Sequence, residues 1–305
     1  SKITSDRSHS PKGRAGLIRE WLRLLSREDL DSTALTYKQF HSSWWQKLRN
    51  GKSKQADFSH EVFEAMNGCL ACKSCSSQCP VGVDVPDFRA RFLSIYYQRY
   101  ARPLKDYFVA NVETLAPAMA KFPRFFNFFL GAGVIKGAIK KTIGYVDAPL
   151  LSQPNLRVRL ENVNCDKDLK ILKSMNEEDR SKHVVVVQDP FTSFYDAECV
   201  EHLVKVIQAL GLKPVLLPFS PNGKAQHVKG FLDKFEKTAS TTAGLLNELA
   251  SLDIPMIGID ASLVLCYRDE YTKILGNRRG HFEVLTATEW LSTLAAPQKA
   301  KLSAA

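Results

Sequence analysis

Leu17, Ile18, Trp21, Leu22 and Leu25 recur at helical spacing behind Ser10-Pro11, an N-cap followed by proline at the first helical position. The pattern predicts a helix over about residues 11–26, after an opening Ser1-Lys2-Ile3-Thr4 run without periodicity. Residues 37–49 and 59–67 carry the same period, and Gly68 is expected as a left-handed cap that stops the latter helix directly before Cys69. Beyond Pro80, Asp84 stands as the N-cap of a further helix. Pro86 and Asp87 fall in its first turn, and Phe88, Phe92, Ile95 and Tyr96 form its apolar stripe. The cysteines at 69–79 are therefore expected between two helices.

Residues 102–151 are rich in phenylalanine and interrupted by Pro103, Pro117, Pro123 and Pro149; the run Phe125-Phe126-Asn127-Phe128-Phe129-Leu130 precedes a lysine-bearing stretch. Two readings stay open: helices packed between domains, which aromatic content favours, or an interfacial amphipathic helix with Lys136, Lys140 and Lys141 towards phospholipid headgroups. Residues 152–180 are polar and charged and read as a linker. The pattern then changes. Val184 to Val187 is a continuous β-branched run of the kind buried on both faces of a parallel sheet, and residues 199–210 form a helix ended by Gly211. Strands are expected at 214–219, 255–260 and 282–285, with one or two helices over 224–250, one over 263–275 and a last one after the fourth strand. Strands alternating with helices imply a doubly wound α/β sheet. The first strand is followed by Gln188-Asp189-Pro190-Phe191 rather than Gly-x-Gly-x-x-Gly, so a Rossmann nucleotide site has no support.

The chain of 305 residues is long enough for two domains with their own cores. An odd count of 7 cysteines and the lack of a basic then apolar leader at the start point to reduced thiols and a cytoplasmic protein. Apolar stretches fall short of the ~20 residues that span a bilayer. The net charge of +10 is uneven, because residues 1–150 carry 23 Lys/Arg against 13 Asp/Glu whereas residues 151–305 carry 19 of each. A basic first half suits an acidic partner or the inner face of a membrane, to which the protein would be peripheral, but it is equally accounted for as a solvated surface offsetting an anionic cofactor. Nucleic acid is not an expected partner, since no recognised motif interleaves aromatics with the basic residues.

The chemistry concentrates in Cys69-Leu70-Ala71-Cys72-Lys73-Ser74-Cys75-Ser76-Ser77-Gln78-Cys79-Pro80, which matches the ferredoxin run C-x2-C-x2-C-x3-C-P position for position. Three thiolates at such short intervals wrap one 4Fe-4S cubane, whereas the fourth, sent off in another direction ahead of proline, typically ligates a neighbouring cluster. Structural zinc usually draws its ligands from two separated pairs, so zinc fits this compressed quartet poorly. Cys69, Cys72, Cys75 and Cys79 are thus the expected metal and cofactor ligands, and no residue is assigned a catalytic role. Cys165, Cys199 and Cys266 read as small packed hydrophobes, and His183 and His202 as packed or surface residues. Arg268-Asp269-Glu270-Tyr271 reads as charges paired along a helix face, with a lesser claim to a ligand site beyond a strand's carboxyl end.

Taken together, Ser8-His9-Ser10-Pro11-Lys12-Gly13-Arg14-Ala15, the cysteine run, the stretch from Gln188 to Ala197, Pro221-Asn222-Gly223-Lys224 and Cys266-Tyr267-Arg268-Asp269-Glu270-Tyr271 resemble the C-terminal half of the large bacterial FAD-linked oxidases with an iron-sulfur region. The resemblance spans nearly the whole chain. A more distant one reaches the iron-sulfur subunits of glycolate oxidase and anaerobic glycerol-3-phosphate dehydrogenase. It implies a helical ferredoxin-like domain over 1–101, an aromatic-rich connector and linker over 102–180, a cysteine-rich-domain-like α/β half domain over 181–296 and a disordered tail over 297–305.

In function, the resemblance implies the electron-transfer portion of a flavin-dependent 2-hydroxy acid dehydrogenase, with D-2-hydroxyglutarate the expected substrate. FAD would lie on a flavin-binding oxidase domain or subunit, and the electron acceptor is not specified. The alternative is a non-catalytic iron-sulfur subunit that docks on a membrane or a partner. Three departures bear on this. No flavin domain is present, so substrate oxidation is not expected on this chain alone. No first cysteine motif precedes Ser8. The paired cysteines expected near Pro221-Asn222-Gly223 are missing, and a second half with its own Cys-Cys-Gly motif would lie beyond Ala305. The chain is therefore expected to be a fragment.

Overall fold

Ser10 begins the first helix as its sequence requires: the Gly13 amide donates to Ser10 Oγ at 3.0 Å, and Pro11 occupies the first turn of α1 (Pro11–Arg27). The computed structural model describes residues 5–27, 43–52, 58–142, 144, 149–163 and 168–294. The opening run, residues 37–42 of the second expected helix, Cys165 and the tail from 297 lie outside the described residues. The chain folds as two units, one of residues 1–110 with 225–233 and one of residues 111–224 with 234–305.

The first unit is helical. It contains α1, α2 (Trp44–Lys52), α3 (Ser59–Asn67), the single turn α4 (Ser74–Ser77), α5 (Val85–Arg99) and α6 (Leu104–Ala110). Its core joins Ile18, Trp21 and Leu25 of α1, Val62 and Met66 of α3, and Phe92, Ile95 and Tyr96 of α5. The Trp21 indole donates to Ser59 Oγ at 3.0 Å and meets Phe92 edge-on at 5.0 Å, so the buried ring keeps its polar partner. The segment 225–233 lies against α5. Gly230 there has φ +68, and a Cβ would stand 2.7 Å from Leu93 Cβ, so only glycine fits. Arg102 holds the same segment by donating to the Lys229 and Gly230 carbonyls while its guanidinium stacks between the Tyr97 and Phe231 rings.

The second unit begins with α7 (Val112–Met119), α8 (Pro123–Gly131) and α9 (Gly133–Thr142), followed by three short helices, α10 (Leu156–Arg159), α11 (Leu169–Ser174) and α12 (Glu177–Arg180). In chain order there follow β1 (His183–Val187), α13 (Pro190–Phe194), α14 (Ala197–Ala209), β2 (Lys213–Val215), α15 (Lys224–Val228), which past Lys224 belongs to the first unit, α16 (Leu232–Ala250), β3 (Met256–Gly258), α17 (Ala261–Arg268), α18 (Glu270–Leu275), β4 (Leu285–Thr286) and α19 (Ala287–Thr293). The four strands are parallel in the order β2-β1-β3-β4. Successive valines of β1 feed opposite cores. Val185 packs with Val215, Phe235, Leu246 and Tyr271, while Val184 and Val186 pack with Val200, Val204, Ile257 and Trp290. Helices on both faces explain why the strand reads as an unbroken apolar run. The molecule is mostly helical, with one small parallel sheet, as the α + α/β expectation has it.

Several expectations change. Gly68 has φ −80 and is not left-handed; the chain reverses instead at Ala71 and Lys73, with φ +55 and +59. The strands are shorter than their apolar runs, because Leu216 and Leu217 stay buried but the Leu217 carbonyl accepts from the Gln188 side chain at 2.6 Å rather than from a ladder. Residues 263–275 split into α17 and α18 at Asp269. Residues 152–180 are not a free linker in their described parts: Leu172 joins one core of the sheet, and Leu156 and Leu160 join the other. Leu172→Ala is expected to lower unfolding stability by about 2–5 kcal/mol, read from denaturant titration. A change within error would return α11 to the surface.

Candidate functional site

The thiol run begins where α3 ends. The Met66 carbonyl accepts from the Cys69 amide at 3.0 Å and also from Arg89 Nε at 3.1 Å, and the Ala65 carbonyl accepts from Arg14 Nε at 2.8 Å. Two guanidinium groups thus serve the carbonyls left over at a helix C-terminus, where cations are favoured. Arg89 reaches further, donating to the Val228 carbonyl at 2.6 Å. Burial pulls its guanidinium down, while the neighbouring Cys69 sulfur and Asp106 oppose that.

Left-handed backbone at Ala71 and Lys73 turns the chain between successive cysteines, a conformation that non-glycine residues adopt at a cost and that clusters at functional loops. The Lys73 carbonyl starts α4, accepting from the Ser76 and Ser77 amides and from Ser76 Oγ. Lys73 Nζ lies 3.5 Å from Asp84, which caps α5 by accepting from the Asp87 amide at 3.1 Å. The loop is therefore tied at both ends to helices. Cys69 and Cys75 are half-buried against the helical core, Cys79 is half-buried, and Cys72 is exposed. The Val83 and Val81 amides, with a lesser contribution from Gly82, hold the Cys79 thiol below the usual range against an opposing desolvation. Such amide donation stabilises the thiolate, the form that binds metal.

Among the described residues no three Cys, His, Asp or Glu side chains gather closely enough to hold one metal ion. A cubane places each thiolate on a different iron, so its ligands stand farther apart than those of a zinc ion. The donor chemistry of the four thiols, the amides directed at Cys79 and the two turns between ligands fit a cubane better than a single ion.

The other singled-out residues resolve into packing and surface roles. Cys266 is buried, and Cys199 is half-buried, with burial, Asp196 and Asp189 pushing its thiol up. His183 is buried with Nδ1 2.7 Å from the Asp179 carbonyl, whereas His202 is exposed beside Glu198. Arg268 donates to the Val284 carbonyl and pairs with Glu289, and Asp269 pairs with Lys273. Buried Glu270 pairs with Lys224, and Tyr271 donates to the Asn222 carbonyl at 2.8 Å. These bonds tie α17 and α18 to the loop after β2 and to the start of α19.

Sequence reading missed Glu113, which is buried. Its two oxygens accept from the Asn222 amide at 2.8 Å and the Gly223 amide at 2.7 Å. Gly223 has φ +81, and a Cβ there would lie 2.8 Å from the Phe235 ring. Asp189 caps α13 through the Phe191 and Thr192 amides, 2.8 Å each. Burial raises both carboxyls above the ordinary range, and in Glu113 the two amides offset this only in part, with Asp189 adding to the rise. Nothing in local sequence could mark Glu113, since its partners are some 110 positions away.

No protein-family model matches the chain, and no solved structure matches it. Curated bacterial proteins do. The chain is 51% identical to "D-2-hydroxyglutarate dehydrogenase" of Escherichia coli over 96% of its length, and 54% and 47% identical to proteins of that name from Pantoea ananatis and Haemophilus influenzae, each over 95%. It spans only 30%, 29% and 29% of the length of these relatives.

An acid raised in the folded state favours folding most at low pH, because the native chain keeps a proton that the unfolded chain has lost. Stability relative to Glu113→Gln is therefore expected to fall for the wild type as pH climbs from the ordinary carboxyl value through the raised one. Paired denaturant titrations across that interval measure it, and a difference independent of pH would mean that Glu113 ionises normally.

Proposed function

We propose, from the premise that the chain is homologous to the C-terminal part of the larger FAD-linked oxidase family that includes bacterial proteins named D-2-hydroxyglutarate dehydrogenase, that it is the iron-sulfur electron-relay portion of a flavin-dependent 2-hydroxy acid dehydrogenase. The observation that carries this reading is the four-thiol run, tied between α3 and α5 with amides directed at Cys79. A 4Fe-4S cluster, when bound, supplies reversible one-electron storage between flavin and acceptor.

In this reading Cys69, Cys72 and Cys75 hold one cluster, completed by a ligand from outside the run. Cys79, turned away ahead of Pro80, serves a second. The Val83, Val81 and Gly82 amides favour the thiolate of Cys79, and Arg89 sets positive charge beside Cys69, where it offsets the negative charge of thiolates. The helical unit is assigned as ferredoxin-like, and the α/β unit as half of a cysteine-rich-domain-like pair in which Glu113 occupies the amides of the Asn222-Gly223 turn. Substrate oxidation belongs to a flavin-binding portion, with D-2-hydroxyglutarate as substrate by analogy with the relatives' name.

Anaerobically purified or reconstituted protein is expected to contain iron and acid-labile sulfide in similar amounts and to show a broad visible band bleached by dithionite. Cys69→Ser, Cys72→Ser and Cys75→Ser should each lose one cluster's share of iron together. Cys79→Ser should deplete the other share only in a longer chain that also carries the upstream cysteine motif, since Cys79 alone does not retain a second cluster. Stoichiometric zinc without iron, or a folded protein that stays colourless after reconstitution, would overturn the assignment.

A further inference from the structure

We infer that α8 and α9 form a docking surface for an anionic phospholipid bilayer. The two helices have no buried residue among them, although α8 is among the most apolar segments of the chain. Asn127 fixes α8 to its own unit through reciprocal bonds with the Leu151 backbone, 2.8 Å in each direction. At 3.6 residues per turn, Phe122, Phe125 and Phe129 fall on the side of α8 opposite Asn127, and they are 68%, 59% and 41% exposed. Phe128, 72% exposed, flanks them, and the Phe125–Phe129 and Phe128–Phe129 ring pairs at 4.9 and 5.5 Å make one continuous aromatic surface. Val134 of α9 is 88% exposed.

Charge selects the occupant. Between Glu113 and Asp147 the sequence holds Lys121, Arg124, Lys136, Lys140 and Lys141 and no acidic residue. All five cations are exposed. Aromatic rings that enter the headgroup boundary, with lysines and arginines around them, suit an interface that is apolar below and negatively charged at its surface. A groove of about 740 Å³ puts both chemistries side by side, since Lys121 and Arg124 line it together with Phe122, Phe125 and Val158. Neither helix is long enough to cross a bilayer, so the contact is peripheral.

Flotation of the purified chain with vesicles of phosphatidylglycerol and phosphatidylcholine tests it. Binding is expected at low salt, to fall as salt rises, and to be absent from pure phosphatidylcholine. Phe125→Ser with Phe129→Ser, and separately Lys136→Glu with Lys140→Glu and Lys141→Glu, should each weaken binding at least about tenfold. Circular dichroism and gel filtration should show both variants folded. Failure to float at low salt, or unchanged binding by both folded variants, would overturn the inference. So would a phenylalanine variant that only dissociates an oligomer, which would make a second copy the occupant instead.

Discussion

The Met66 carbonyl, shared by the Cys69 amide and the Arg89 guanidinium, fixes where the thiol loop leaves α3, and the loop's remaining geometry follows from that departure. Arg89 comes from α5, the helix that receives the chain after the loop, so one buried side chain relates the two ends of the cysteine run. Asp84 closes the other end by capping α5 and facing Lys73. Between these ties the backbone is bent twice into the left-handed region at residues that are not glycine, a cost sustained only where the surroundings determine it. The rigidity of this loop comes from helix ends rather than from a sheet.

In the α/β unit the corresponding constraint is a buried carboxylate. Glu113 of α7 accepts both amides of the Asn222-Gly223 turn, Tyr271 takes the Asn222 carbonyl, and Asn222 donates to the Leu263 carbonyl at 3.2 Å. Three helices, α7, α17 and α18, meet at one turn whose polar groups find their partners within the protein, as burial demands. The same economy appears at Gln188, whose side chain replaces a strand partner for Leu217. A short parallel sheet is enough because side chains finish what its ladders begin.

The aromatic surface of α8 follows a different rule. Rings such as Trp21, Phe92, Phe235 and Phe282 are buried in the cores of their units; on α8 they are held outward by an asparagine that turns the opposite side of the helix towards Leu151. The helical period of the segment is the same in either case, so periodicity could not say which side is covered. The linker reading of residues 152–180 had the same weakness. Leu156 and Leu160 stand only one helical turn apart and Leu172 stands alone, too little for an amphipathic stripe, and only the cores they enter reveal them as structural.

Local chemistry therefore settled much from sequence: the Ser10 and Asp84 caps, the bounds of α3, the β-branched strand at 184–187, the left-handed Gly211 with φ +80 and the spacing of four cysteines all express forces acting within a few residues. What tertiary structure alone decided lies at long range. It put Arg14 and Arg89 on the last carbonyls of α3, brought Glu113 to a turn about 110 residues away, ended the strands early and left Phe122, Phe125 and Phe129 outward. Backbone propensity is local and can be read in order along a chain; desolvation and the pairing of buried polar groups depend on neighbours that only folding supplies.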